Sequence, residues 1–393
     1  MLLQSTAIPQ DQVKRPFGGP ATLMFIVTAL FWFSQYAITP YINSELIRMG
    51  ATGAVQGLVG SVYGLSQMLL RLPLGLQADR MGRQKPFIVI GCLLSALAVA
   101  GFFLWYTPMS FVVLRGVAGV ASASWVSFTV LFGSYFPPRE GPQRISQLNI
   151  ANQGGRLLCF VLIGWAVSRF TLQSAFVIGA AVGGLCLALS LLIRENRAPA
   201  HPVELNNLWQ VLRDRNMQVT CLLGFLVQTI AFGTYFNFAN NLAVRLHASA
   251  QQLSSLSVVL TLPAVLTNLF ASGWLVKRLP IRRLITFGFG LAVIYCTLAP
   301  LATTMLQLYA CQALAGVSSG LTFSLLLGQG MRDIDPSLRS TAMGLFQTVY
   351  GLGMTLGPLL MGLVMDARGL NQAFFLMAGI SLLTAVLTAK LLK

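Results

Sequence analysis

Apolar runs of about twenty residues, each closed by a short polar interruption, recur along the whole chain. Twelve can be drawn, at 21–43, 53–74, 86–106, 109–136, 146–167, 172–193, 217–242, 251–276, 284–303, 305–330, 340–364 and 371–391. Each is long enough to cross a hydrocarbon layer roughly 30 Å thick as a helix. The runs are continuous, whereas barrel strands would be about ten residues long and alternate in polarity, so helices are expected. The longest polar interruption, 194–216, separates six runs from six. The pattern thus predicts an N-terminal tail (1–20), a six-helix bundle (21–193), a linker (194–216) and a second six-helix bundle (217–393). Within the linker, Leu205, Leu208, Trp209 and Leu212 at i, i+3, i+4, i+7 predict a short amphipathic helix lying on the membrane surface.

Composition narrows the class. Of 393 residues, 55% are hydrophobic and 9% charged, against about 25% charged in a soluble domain. The net charge of +16 is a topology signal. Arg80, Arg83, Lys85, Arg278, Arg282 and Arg283 fall in hinges on the side that also holds both termini, while the opposite side holds Arg48, Arg169, Arg245 and Arg368. The positive-inside rule then places both termini in the cytoplasm of a bacterial cell, with the chain in the inner (plasma) membrane. No basic-aromatic module accompanies the charge, so nucleic acid is not an expected partner. The first run is too long for a signal-peptide core and reads as a spanning helix. The six cysteines lie inside apolar runs without paired spacing, which predicts neither a disulfide frame nor a metal site.

The two halves repeat one another. Gly75-Leu-Gln-Ala-Asp79-Arg80-Met-Gly82-Arg83-Gln-Lys85 has a weaker copy beginning at Gly273 and carrying Lys277, Arg278, Arg282 and Arg283. Arg115-Gly-Val-Ala-Gly119 parallels Gln312-Ala-Leu-Ala-Gly316, and runs five and eleven both open on arginine, at Arg144 and Arg339. Three matches in the same order, about half a chain apart, indicate duplication.

On these residues the chain resembles the major facilitator superfamily (MFS) of transporters over nearly its whole length. The family signature between spans two and three, Gly-x-Leu-Ala-Asp-Arg-x-Gly-Arg-Lys, is matched by Gly75, Ala78, Asp79, Arg80, Gly82 and Arg83, with Gln77 and Gln84 departing from it. Arg115 and Gly119 match a second motif in span four. The Gly-Pro motif of drug/proton antiporters is absent from span five, where Asn152-Gln-Gly154-Gly155-Arg156 stands; Gly353-x-x-x-Gly357-Pro358 occurs in span eleven instead. The resemblance, nearest to the drug-efflux-like branch, implies an all-α fold of twelve transmembrane helices in two pseudo-symmetric bundles, alternating access around a central cavity, and a conformational latch formed by Asp79 with Gly75, Arg80, Gly82 and Arg83. Gly353, Gly357 and Pro358 are candidate gating or kink positions.

Arg115 and Arg156 are charged residues well inside the spans, and all ten acids sit in loops, tails or span ends. A guanidinium inside the membrane needs a wet cavity, a polar partner or an anion. Asn149, Asn152, Gln153 and Arg156 form one stripe, with Arg156 roughly 16 Å from the inner edge by helix rise. Trp32, Gln35, Tyr36, Tyr235, Asn237, Gln347 and Tyr350 are further candidates for the same pocket. The expected function is secondary transport of a small organic solute, with an anion favoured, by a protein acting as a monomer without cofactor. A proton-coupled multidrug or metabolite efflux pump and a transport-inactive receptor or scaffold are the alternatives. Catalysis is not expected, because the spans lack paired carboxylates and the two histidines lie outside them. No phosphate-binding Gly-x-x-x-x-Gly-Lys loop offers ATP drive.

Overall fold

A computed structural model describes residues 19–137, 140–195, 210–332, 334–335 and 338–392. Its long helices correspond one for one to the apolar runs: α1 (Gly19–Arg48), α2 (Gly53–Met81), α3 (Lys85–Leu104), α4 (Pro108–Ser134), α5 (Gly141–Arg169), α6 (Gln173–Leu191), α7 (Arg215–Arg245), α8 (Ala250–Phe270), α9 (Ile281–Leu298), α10 (Met305–Met331), α11 (Arg339–Arg368) and α12 (Leu370–Leu391). Eleven are long and apolar enough to cross a bilayer among the described residues. The other, α2, is diluted by Gln56, Ser61, Gln67 and Arg71, all buried inside the protein. Leu205, Leu208 and Trp209 of the expected linker helix lie outside the described residues.

Local chemistry sets the helix ends. Thr52, Asp214, Ser249 and Thr304 each accept a backbone N–H in the first turn of the following helix. Gly82 closes α2 in the left-handed conformation (φ +59°), with the Arg83 N–H donating to the Ala78 carbonyl. Helix α4 breaks at Ser124, and α7 widens into a π turn over Thr234–Phe238.

The duplication is visible in the packing. In the first half, a Cβ on Gly119 of α4 would lie 2.4 Å from the Tyr63 carbonyl oxygen of α2, and one on Gly155 of α5 would lie 2.2 Å from the Ala29 carbonyl oxygen of α1. In the second half, a Cβ on Gly316 of α10 would lie 2.4 Å from the Leu260 carbonyl oxygen of α8, and one on Gly353 of α11 would lie 2.2 Å from the Phe225 carbonyl oxygen of α7. Equivalent glycines therefore let equivalent helix pairs touch backbone to backbone, the close approach that drives association where lipid supplies no hydrophobic force.

The halves meet most tightly at the end remote from the α2–α3 hinge. There Asp366, at the end of α11, accepts hydrogen bonds from the Gly53 and Ala54 N–H groups at 2.6 and 2.8 Å, capping the start of α2. Asn43 of α1 donates to Asn241 of α7 at 2.8 Å, Asn241 donates to Gln56 at 2.6 Å, and Asn240 donates to the Pro40 carbonyl. Gly362 of α11 sits against Gly53, where a Cβ would meet the Gly53 oxygen at 2.1 Å, and Gly57 sits against the Pro358 carbonyl. Nearer the middle, Ser254 of α8 donates to the Phe160 carbonyl of α5.

Candidate functional site

Between the halves lies a cavity of about 270 Å³. Seven residues marked by sequence line it: Trp32, Tyr36, Asn149, Asn152, Gln153, Arg156 and Tyr350. The α5 stripe forms as its spacing requires, because residues three and four apart share a helix face. Arg156 Nη1 donates to Gln153 Oε1 at 2.9 Å, and the guanidinium lies over the Tyr36 ring, 4.2 Å from its centre. Phe236 approaches from the other half, its ring centre 5.8 Å away. Arg156 thus lies between two aromatic rings, surroundings suited to a weakly hydrated planar cation.

Five other candidates are placed behind the wall. Arg115 is buried on α4 with its guanidinium 4.3 Å from the centre of the Tyr63 ring, so it does not share the pocket with Arg156. Its helix face turns toward α2. Tyr63 itself lines the cavity and bonds Ser122 through its hydroxyl, so Arg115 supports the wall from outside. Gln35 donates to the Ala118 carbonyl at 3.2 Å and ties α1 to α4. Tyr235 packs edge-on against Tyr295 in the core of the second half, its carbonyl taken by Gln312. Asn237 donates to the Phe232 carbonyl inside the α7 π turn, and its own carbonyl accepts from Asn43. Gln347 does not line the cavity; its Oε1 holds a residue that does.

That residue is Arg71, four residues before Gly75 of the hinge and not among the candidates drawn from the spans. It is 8% exposed, and its Nη1 donates to Gln347 Oε1 at 3.0 Å and to the Tyr350 hydroxyl at 2.7 Å, crossing from one half to the other. Tyr63, Gln67 and Arg71 all line the cavity and stand at i, i+4, i+8. That spacing puts the three side chains on one face and makes α2 a lining helix. Trp125, Phe232, Phe236 and Phe323 add aromatic walls, and Gln228 and Asn268 add amides. No Asp or Glu lines the cavity among the described residues. Four buried polar atoms of its lining have no hydrogen-bond partner among the described residues: Trp32 Nε1, Arg71 Nε, Arg156 Nε and Asn152 Oδ1. Three are donors.

At the hinge, Gln84 Nε2 donates to Asp79 Oδ1 at 3.1 Å, so the amide that replaces the signature's basic residue holds the carboxylate. Glu195, from the end of the first half, caps α3 through the Gln84 and Lys85 N–H groups, and Lys85 Nζ donates to the Leu191 carbonyl. Arg80 and Arg83 are exposed. A Cβ on Gly75 would meet only Val126, at 3.7 Å, so close packing does not demand glycine there in this arrangement. Gly353 and Gly357 face α7, where Cβ atoms would lie 2.2 and 2.3 Å from the Phe225 and Thr229 oxygens, whereas Pro358 faces α2 across the seam.

Two overlapping segments, 23–244 and 221–393, match the family model of the Major Facilitator Superfamily. The chain belongs to this family. An uncharacterized MFS-type transporter of Methanocaldococcus jannaschii is 22% identical over 89% of this chain and 92% of its own length. The multidrug resistance protein MdtG of Salmonella paratyphi A is 20% identical over 89% of each chain. Among solved structures, the nucleoside transporter NupG has a TM-score of 0.78 at 15% identity, covering 96% of this chain and 100% of its own. A bacterial homologue of the human lysosomal transporter Spinster, inward-facing and unoccupied, has a TM-score of 0.75 at 14% identity, covering 94% of this chain and 95% of its own. These likenesses establish the MFS fold. The protein is accordingly a multi-pass membrane transporter of the secondary type and not an enzyme.

Proposed function

We propose that this transporter carries a small organic anion by alternating access, with Arg156 as its principal anchor. The observation that carries this reading is the cavity's charge: its ionised side chains are Arg71 and Arg156, with no lining carboxylate among the described residues. A cation removed from water without a counter-ion is costly, and a bound anion removes that cost. The aromatic walls suit a planar or partly apolar solute. They suit a lipophilic cation less well, because protein cations already occupy the faces of two wall rings, Arg156 over Tyr36 and Arg115 over Tyr63. Thermal-shift measurements on the purified protein with small carboxylates, neutral metabolites and lipophilic cations test this. Stabilisation should follow roughly RT ln(1 + [L]/Kd) for the carboxylates. Stabilisation by cations alone would overturn the reading.

The similarity to MdtG supports export as the direction of net movement. With the hinge end in the cytoplasm, the Asp366 cap and the Asn43–Asn241–Gln56 amides close the outer end. A reporter fused after Lys393 should therefore be cytoplasmic, and an external reporter would reverse every inside and outside assignment here.

Asp366, at the end of α11, caps the start of α2, and Asp79 stands near the end of α2 at the opposite side of the seam. We assign Asp366 to the outer closure and Asp79 to the inner closure of the opposite state. A charge at a helix N-terminus is worth about 0.3–1 kcal/mol, so Asp366→Asn should raise maleimide labelling of a Ser61→Cys reporter roughly two- to fivefold. Asp79→Asn should keep expression and slow flux. Unchanged flux would reduce Asp79 to a topology residue.

A further inference from the structure

Arg71 is held across the seam by two neutral acceptors, Gln347 Oε1 and the Tyr350 hydroxyl, both on α11. Neither is an anion. Ion pairs among the described residues join Arg48 to Glu45 and Arg144 to Glu140, and neither cavity arginine belongs to one. The Arg71 Nε hydrogen is unpartnered, as is that of Arg156, and both side chains line the same small cavity. A pure tie between helices could use an uncharged side chain at lower desolvation cost. A second guanidinium, more than nine-tenths buried and lacking a carboxylate, is instead matched to charge supplied from outside the chain.

From this we infer that Arg71 is a second anion anchor and that the transported solute carries two negative charges. The inference rests on the anionic-solute reading above. A singly charged solute on Arg156 would leave Arg71 uncompensated, whereas a dianion neutralises both and leaves the cavity with no net charge. The second charge can sit on a separate carboxylate or on the same group, as in a phosphate monoester. In either form it engages Arg71 while Gln347 and Tyr350 keep that side chain oriented toward the cavity.

Isothermal titration of the full-length purified protein tests this with benzoate, the three benzenedicarboxylate isomers and phenyl phosphate. At least one dianion should bind about tenfold or more tighter than benzoate, the step expected for one added charge-assisted contact. A preferred dicarboxylate indicates two separated acids; preferred phenyl phosphate indicates one doubly charged group. Arg71→Gln should bring the dianion-to-benzoate affinity ratio to about one, and Arg71→Lys should keep part of the preference. The ratio is taken within one preparation, so benzoate binding certifies the fold of each variant. Two results overturn the inference: no dianion exceeds benzoate, or the preference survives Arg71→Gln. If Arg156→Gln leaves benzoate binding unchanged, or no anion binds at all, the anionic reading falls together with it.

Discussion

Replacement of Arg156 by glutamine should weaken binding of the transported anion by about tenfold or more, on the order of 1.4 kcal/mol, without loss of the fold. The guanidinium lies over Tyr36, its Nη1 engages Gln153, and its Nε is unpartnered beside the cavity. Glutamine preserves length and some hydrogen bonding but removes the charge and the planar fork. Arg156→Lys should recover only part of the affinity, because an ammonium keeps the charge yet cannot stack flat and bond an anion bidentately. Titration of a carboxylate ligand into the three proteins decides the matter. Equal affinities would assign Arg156 to helix packing, and tight binding of a hydrophobic cation unaffected by Arg156→Gln would remove the case for an anion.

Adjacent glycines on α5 should respond in opposite ways to alanine. A Cβ at Gly155 would lie 2.2 Å from the Ala29 carbonyl oxygen, and backbone cannot rotate aside as a side chain can. Gly155→Ala must therefore push α5 away from α1, and overpacking of this kind costs about 1–3 kcal/mol. At Gly154 nothing lies within 4 Å of a new Cβ, so Gly154→Ala should be neutral or slightly stabilising through helix propensity, worth up to about 1 kcal/mol. Thermal unfolding of the two variants in the same detergent gives the comparison. Gly353→Ala on α11 should behave like Gly155→Ala, since its Cβ would meet the Phe225 oxygen at the same 2.2 Å. Equal melting temperatures for Gly154→Ala and Gly155→Ala would contradict the pseudo-symmetric backbone contacts.

The candidate site was only partly legible in sequence, for reasons that differ residue by residue. The α5 stripe was readable because helical periodicity fixes which side chains share a face, and a charge inside an apolar run must face something polar. Arg71 was hidden by position: it stands one turn from the basic hinge and counts equally well as a topology charge. Arg115 satisfied the same burial logic as Arg156, yet it answers to the Tyr63 ring and not to the cavity. Periodicity gives angle around one helix axis but not which neighbour that face meets.

What the sequence by itself determined was the membrane location, the twelve helices and their duplication. These follow from local quantities: the length of apolar runs against bilayer thickness, and motifs recurring at a fixed offset. The tertiary structure alone decided which residues touch across the seam. Asp366 capping α2, Glu195 capping α3 and Arg71 reaching Gln347 join residues 313, 111 and 276 positions apart. Such contacts depend on the relative rotation and tilt of whole helices. In a bilayer those are set by small-residue packing such as Gly53 on Gly362 and Gly57 on Pro358, which no single segment encodes.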